Sequence, residues 1–215
     1  MRKLVAAVLS AIVVGLLLVP SGVSAGTKMV TVPDRQGDLC KHYNWSTGEP
    51  RHVLGNNTPV VTAGYLDIVS AWLAQKGKMY TFGMELAAGL PQEGKALPCG
   101  MSLATWQMII ESAGPWDPYN PLPFAYFVTL TYDGSSYSAS LWDVDMRVMT
   151  PLQFTHDGPR FQMVFSEDSI GGLSTFWWSF DVEVYFGVGG WSMPDNPDPG
   201  ASPGQVFWDI PWPPV

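Results

Sequence analysis

From Tyr65 onward, apolar and polar side chains alternate with a period of two, the repeat of strands rather than helices. In Lys78 to Leu86, the residues Tyr80, Phe82, Met84 and Leu86 share one face, with Met79, Thr81, Gly83 and Glu85 on the other. Phe124 to Tyr132 repeats this with Phe124, Tyr126, Val128, Leu130 and Tyr132 on one side, and Asp133-Gly134 turns the chain into Tyr137, Ala139 and Leu141. The clearest segment is Phe176 to Phe186, where Phe176, Trp178, Phe180, Val182, Val184 and Phe186 alternate with Ser179, Asp181, Glu183 and Tyr185. Further strands are predicted at Val30 to Val32, Tyr65 to Ala74, Ala104 to Ser112, Met146 to Met149 and Arg160 to Phe165. About eight or nine short strands without a helical stretch bury their apolar faces only sheet on sheet or in a barrel. The predicted fold is all-β, an antiparallel, jelly-roll-like β-sandwich.

The chain opens differently. Arg2 and Lys3 precede an apolar run from Leu4 to Val19, and Val23-Ser24-Ala25 follows Pro20 and Gly22 as a small-residue cleavage site. Residues 1–25 read as a signal peptide cleaved after Ala25, so the mature protein is expected to be secreted and without stable membrane insertion. No later segment is long and apolar enough for a spanning helix. Residues 26–193 form one predicted β-sandwich domain. It carries a long insert loop at 39–64, where the sequons Asn44-Trp45-Ser46 and Asn56-Asn57-Thr58 lie. A proline-rich tail at 194–215 packs on the domain or trails from it.

Net charge is −8, and loss of Arg2 and Lys3 makes it −10. Such a surface repels nucleic acid and anionic membranes. Charged residues make up only 14% of the chain and aromatics 13%, which argues for a folded domain rather than an acidic disordered one.

Cys40 and Cys99 are the two cysteines, and in an exported chain they are expected to form one disulfide. It closes a loop of about 60 residues, worth up to roughly 4 kcal/mol in the chain-entropy picture. The alternative is two buried free thiols. His42, His52 and His156 fall in no catalytic or zinc motif, and neither a G-x-S-x-G elbow nor a phosphate-cradling loop is present. Asp143 with Asp145, and Asp181 with Glu183, share a strand face at i and i+2, a spacing open to glycoside hydrolysis, but solvated strand faces place acids there routinely. The chain reads as non-catalytic.

Four segments in order, Asp34-Arg35-Gln36-Gly37-Asp38, Tyr65-Leu66-Asp67-Ile68-Val69-Ser70, Tyr80-Thr81-Phe82-Gly83-Met84-Glu85-Leu86 and Asp195-Asn196-Pro197-Asp198-Pro199-Gly200, carry a family resemblance. Their order resembles exported prokaryotic β-sandwich proteins of the family 9 carbohydrate-binding modules and the wider DOMON-like group. The chain departs from that pattern in the 39–64 insert and in its last motif. Asp34, Asp38, Asp67, Asp195 and Asp198 are hard oxygen donors beside turn glycines, which makes them candidates for a structural calcium, and the resembling modules hold such an ion. The alternative is that Asp34, Asp38 and Asp195 cap their own turns. A haem-binding DOMON variant would take its axial ligands from a methionine and a histidine such as His156.

Ten tryptophans open a carbohydrate reading, since a sugar ring stacks on an indole. Trp72, Trp106 and Trp178 fall on apolar strand phases and are expected in the core. Trp45, Trp116, Trp191, Trp208 and Trp212 lie in predicted loops or the tail. The candidate ligand site draws on Trp45, Trp116 and Trp191, with Asp117, Tyr119 and Asn120 to bond hydroxyls. Function is expected to be binding of an extracellular glycan or cell-surface component. The competing class is a structural or adhesive surface protein without a small ligand, and a secreted hydrolase or haem-binding domain ranks behind both.

Overall fold

The computed structural model describes residues 27–34, 63–112, 124–186, 191–195 and 210–214. The signal-peptide reading at 1–25 and residues 35–62, most of the insert, lie outside them. Among the described residues stand twelve strands: β1 (Thr27–Pro33), β2 (Ile68–Lys76), β3 (Met79–Leu86), β4 (Met101–Glu111), β5 (Phe124–Tyr132), β6 (Tyr137–Asp143), β7 (Val148–Pro151), β8 (Gln153–Asp157), β9 (Arg160–Ser166), β10 (Phe176–Phe186), β11 (Trp191–Asp195) and β12 (Ile210–Trp212). The smaller sheet runs β1-β2-β3-β9-β8 and the larger β11-β10-β4-β5-β6-β7, with β12 also on β10. Neighbours are antiparallel, and the two sheets pack face to face as a β-sandwich.

Alternation places the core. Tyr80, Phe82 and Met84 of the smaller sheet meet Trp106, Val128, Leu130, Trp178 and Phe180 of the larger, all buried. Edge-to-face ring contacts bridge the sheets, Phe82 with Trp178 at 6.2 Å and Phe161 with Trp106 at 6.1 Å. Such pairs add about 0.5–1.5 kcal/mol each beyond burial. The indole of Trp106 donates to the Tyr65 carbonyl at 2.8 Å, fixing the short 3₁₀ turn Gly64–Leu66 that leads into β2.

Three features depart from the sequence reading. Trp72 is not in the core: Ala71 and Leu73 point inward, while Trp72 lies on the outer face over Gly83, its partner in the ladder. A register shift between Ile68 and Ser70 reverses the phase that Leu66 and Ile68 set. The tail adds a strand, because β12 pairs Ile210, Pro211 and Trp212 with Trp178, Trp177 and Phe176. Trp212 is buried beside Tyr80 and Phe176, which removes it from the candidate platforms. Finally, β8 forms from Gln153–Asp157, a segment with no strong alternation.

Candidate functional site

The larger sheet has two faces, and the one turned away from the smaller sheet is where polar and aromatic chemistry collects. Register sets three rows across it. One joins Ser179, Ile109, Phe127, Trp142 and Met149 on β10, β4, β5, β6 and β7. The next joins Asp181, Gln107, Thr129 and Ser140, and the third Glu183, Thr105, Thr131 and Ser138. Hydroxyl pairs tie the rows: Thr129 Oγ1 with Ser140 Oγ at 2.9 Å, and Thr105 Oγ1 with Thr131 Oγ1 at 3.3 Å.

The face divides in exposure. Over β5 and β6 it is open: Thr129, Ser138 and Ser140 are partly or fully exposed, and the Trp142 ring is 41% exposed. That indole stacks on its ladder partner Phe127 at 5.7 Å between centroids and 26° between planes, so one broad face is held against the phenyl ring, with Met149 its partner on the other side. Val148, Met149 and the turn residue Met146 extend an exposed apolar margin along the edge strand β7. Over β4 and β10 the same face is buried: Gln107, Ile109, Glu111, Ser179 and Asp181 are all covered although they point away from the smaller sheet.

Asp181 is the electrostatic focus. It is 1% exposed, and burial lifts its carboxyl well above the usual carboxylate range. The Glu183 charge two residues on lifts it further, while the Gln107 carboxamide opposite pulls it down. Among the described residues, no hydrogen bond of ordinary geometry reaches either Asp181 oxygen. Glu183 accepts a 2.6 Å bond from the Tyr185 hydroxyl, and the Tyr185 phenol is pushed upward by burial and by that acceptor. The expectation that Asp181 and Glu183 sit on a solvated face is therefore corrected for Asp181. Glu111, opposite Trp177, stands four residues along β4 from Gln107, about 13 Å at ordinary strand rise, so it forms no close carboxyl pair with Asp181. Asp143, the first acid of the other pair, caps the turn before β7 by accepting from the Met146 amide at 2.8 Å.

Of the candidate ligand residues, Trp45, Trp116, Asp117, Tyr119 and Asn120 lie outside the described residues, and Trp191 stands on β11 opposite Tyr185. Of the candidate calcium ligands, Asp34 and Asp67 come to one corner of the smaller sheet, where the Asp34 amide donates to the Val69 carbonyl at 2.8 Å and the Asp67 carbonyl accepts from Ala87 at 2.8 Å. Asp195 sits opposite Val182 on the other sheet, and Asp38 and Asp198 lie outside the described residues. That corner thus offers two carboxylates where calcium takes six to eight oxygens. Among the described residues no three His, Cys, Asp or Glu side chains converge on a metal position. Cys99 lies in the 3₁₀ turn Pro98–Gly100 ahead of β4, Cys40 lies outside the described residues, and no disulfide is seen among them. His156 is exposed on β8, its ring 6.1 Å from that of Phe154.

Sequence reasoning missed Trp142 and Phe127. A signal was present: each is a bulky aromatic on the polar phase of its strand, Phe127 among Thr129 and Thr131, Trp142 among Ser138 and Ser140. Comparison with known proteins gives no matching family model, no matching curated protein and no matching solved structure.

Proposed function

We propose that the chain is an exported, non-catalytic binding module whose ligand surface is the open half of the larger sheet's outer face, and that its ligand is an extracellular carbohydrate. The observation that carries this is the Trp142 indole, 41% exposed and stacked flat on Phe127, beside the hydroxyl pair Thr129–Ser140. A pyranose offers an apolar face to an indole and hydroxyls to the neighbouring oxygens. Hydrolysis finds less support, because Asp181, whose carboxyl burial raises, is closed to substrate. The Cys40–Cys99 disulfide and a structural calcium at the corner of Asp34 and Asp67 belong to the same proposal, as braces of the 39–64 insert and the first strand. Thermal unfolding over a panel of soluble glycans tests it, since a ligand of the native state raises the midpoint. A rise in wild type that Trp142→Ala abolishes supports the reading, and no rise with any glycan contradicts it.

A second reading has its own observation. Met146, Val148 and Met149 stand more than half exposed along β7, at the margin of the sheet. Apolar side chains on an edge strand favour association with another chain, which is the structural or adhesive role. Sedimentation of wild type against Met149→Lys separates the two: association that the lysine abolishes, without glycan binding, favours the adhesive role.

A further inference from the structure

The larger sheet carries acids and no bases. Glu111, Asp143, Asp181, Glu183 and Asp195 lie on its strands, and no lysine, arginine or histidine lies on any of β4, β5, β6, β7, β10, β11 or β12. The smaller sheet, by contrast, holds Lys28, Lys76, His156 and Arg160, and pairs Arg160 with Glu85 at 2.6 Å. Among the described residues, no hydrogen bond of ordinary geometry reaches either oxygen of the buried Asp181 or the hydroxyl of the equally buried Ser179, on the same face two residues earlier. Glu183 lies two residues on, near enough for its charge to act on Asp181, and Gln107 faces Asp181 across the ladder.

We propose that Asp181, Glu183 and the Gln107 carboxamide bind a hard divalent cation of the calcium class on the outer face of the larger sheet. An isolated charge out of water costs far more than a paired one, so two carboxyl groups crowded on a sheet without a base call for a positive partner. The donors are all oxygen, with no thiol or imidazole on these strands, which selects calcium, magnesium or manganese over zinc or copper. Both Asp181 oxygens, the Glu183 oxygen that Tyr185 leaves free and the Gln107 carbonyl provide about four oxygens of the six to eight that calcium takes. Ser179 and water complete the shell. The carboxamide presents its oxygen by a simple flip. The Tyr185 hydroxyl occupies one Glu183 oxygen and leaves the other for the ion. This position is distinct from the corner of Asp34 and Asp67, and the ion would stand beside the open face, fixing β10 against β4 in line with the Thr129–Ser140 row.

The test is the number of calcium ions bound by the purified, metal-stripped protein at near-neutral pH, read by calorimetric titration with calcium chloride. Asp181→Asn is expected to bind one ion fewer than wild type, while Glu85→Gln on the smaller sheet binds as many as wild type. Glu183→Gln, which leaves the buried aspartate in place, is expected to bind the same ion more weakly, and it decides the matter if Asp181→Asn fails to fold. An unchanged count in Asp181→Asn, or unchanged affinity in Glu183→Gln, overturns the proposal. So does a wild type that binds no calcium, magnesium or manganese, which leaves a proton to neutralise Asp181.

Discussion

Trp72 lies across Gly83, and a Cβ built on that glycine would stand 2.2 Å from the indole ring and 2.7 Å from the Phe161 carbonyl oxygen. The indole can swing outward, but the carbonyl belongs to the β3–β9 ladder and has no such freedom. Gly83→Ala is therefore expected to destabilise the fold by about 1–3 kcal/mol, the usual range for overpacking. Urea unfolding checks this, and a midpoint equal to wild type contradicts it.

Trp212 ties the end of the chain to the core. It is buried, stacks on Phe176 at 6.3 Å and meets Tyr80 edge-on at 5.9 Å. Trp212→Ala is expected to cost about 3–5 kcal/mol, as large aromatic deletions do. A chain ending before Ile210 should lose a similar amount, since it loses β12 as well. Denaturant midpoints near wild type for both would show that the tail is dispensable.

Stability should fall in alkali. Burial raises the phenols of Tyr80, Tyr126 and Tyr137 above their ordinary 10.0, so in that range the folded chain keeps protons that the unfolded chain has lost. The sign follows from linkage: the contribution is fully present below pH 10 and is lost as pH rises past it toward the folded values. For Tyr137 the cause is burial first, then the neighbouring Tyr132 and Glu93. Tyr137→Phe should flatten part of this decline. A thermal midpoint that stays constant well above pH 10 contradicts the account.

The limits of the sequence reading have physical causes. Segments 79–86, 124–132 and 176–186 were legible because one face of each meets the opposite sheet, so alternation and burial coincide. Trp72 was misplaced because the irregularity between Ile68 and Ser70 flips every later side chain of β2, and nothing local marks it. β12 was hidden because Ile210-Pro211-Trp212 gains its strand conformation from pairing with β10, far away in sequence. The burial of Asp181 was hidden for a related reason: alternation assigns it to the polar side of β10 but does not say whether that side meets solvent. Of the candidate site, the sheet face left one mark in the sequence, the off-phase aromatics Phe127 and Trp142, and the sequence reading passed over both. Their meeting at 5.7 Å follows from the β5–β6 register, which the four-residue turn at 133–136 sets with the Asp133 carboxylate accepting from the Ser135 and Ser136 amides.

The proposed ligand surface is the open half of the larger sheet's outer face, with Trp142 as its platform. The most direct measurement is titration of wild type and Trp142→Ala with the same panel of soluble glycans, read by calorimetry, with unfolding midpoints recorded alongside. At least one glycan is expected to bind wild type, and Trp142→Ala is expected to lose this binding while still folding, its midpoint lowered only by loss of the Phe127 stack and the buried part of the side chain. Equal binding by both proteins would put the site elsewhere in the chain and contradict the claim, as would a wild type that binds none of the panel.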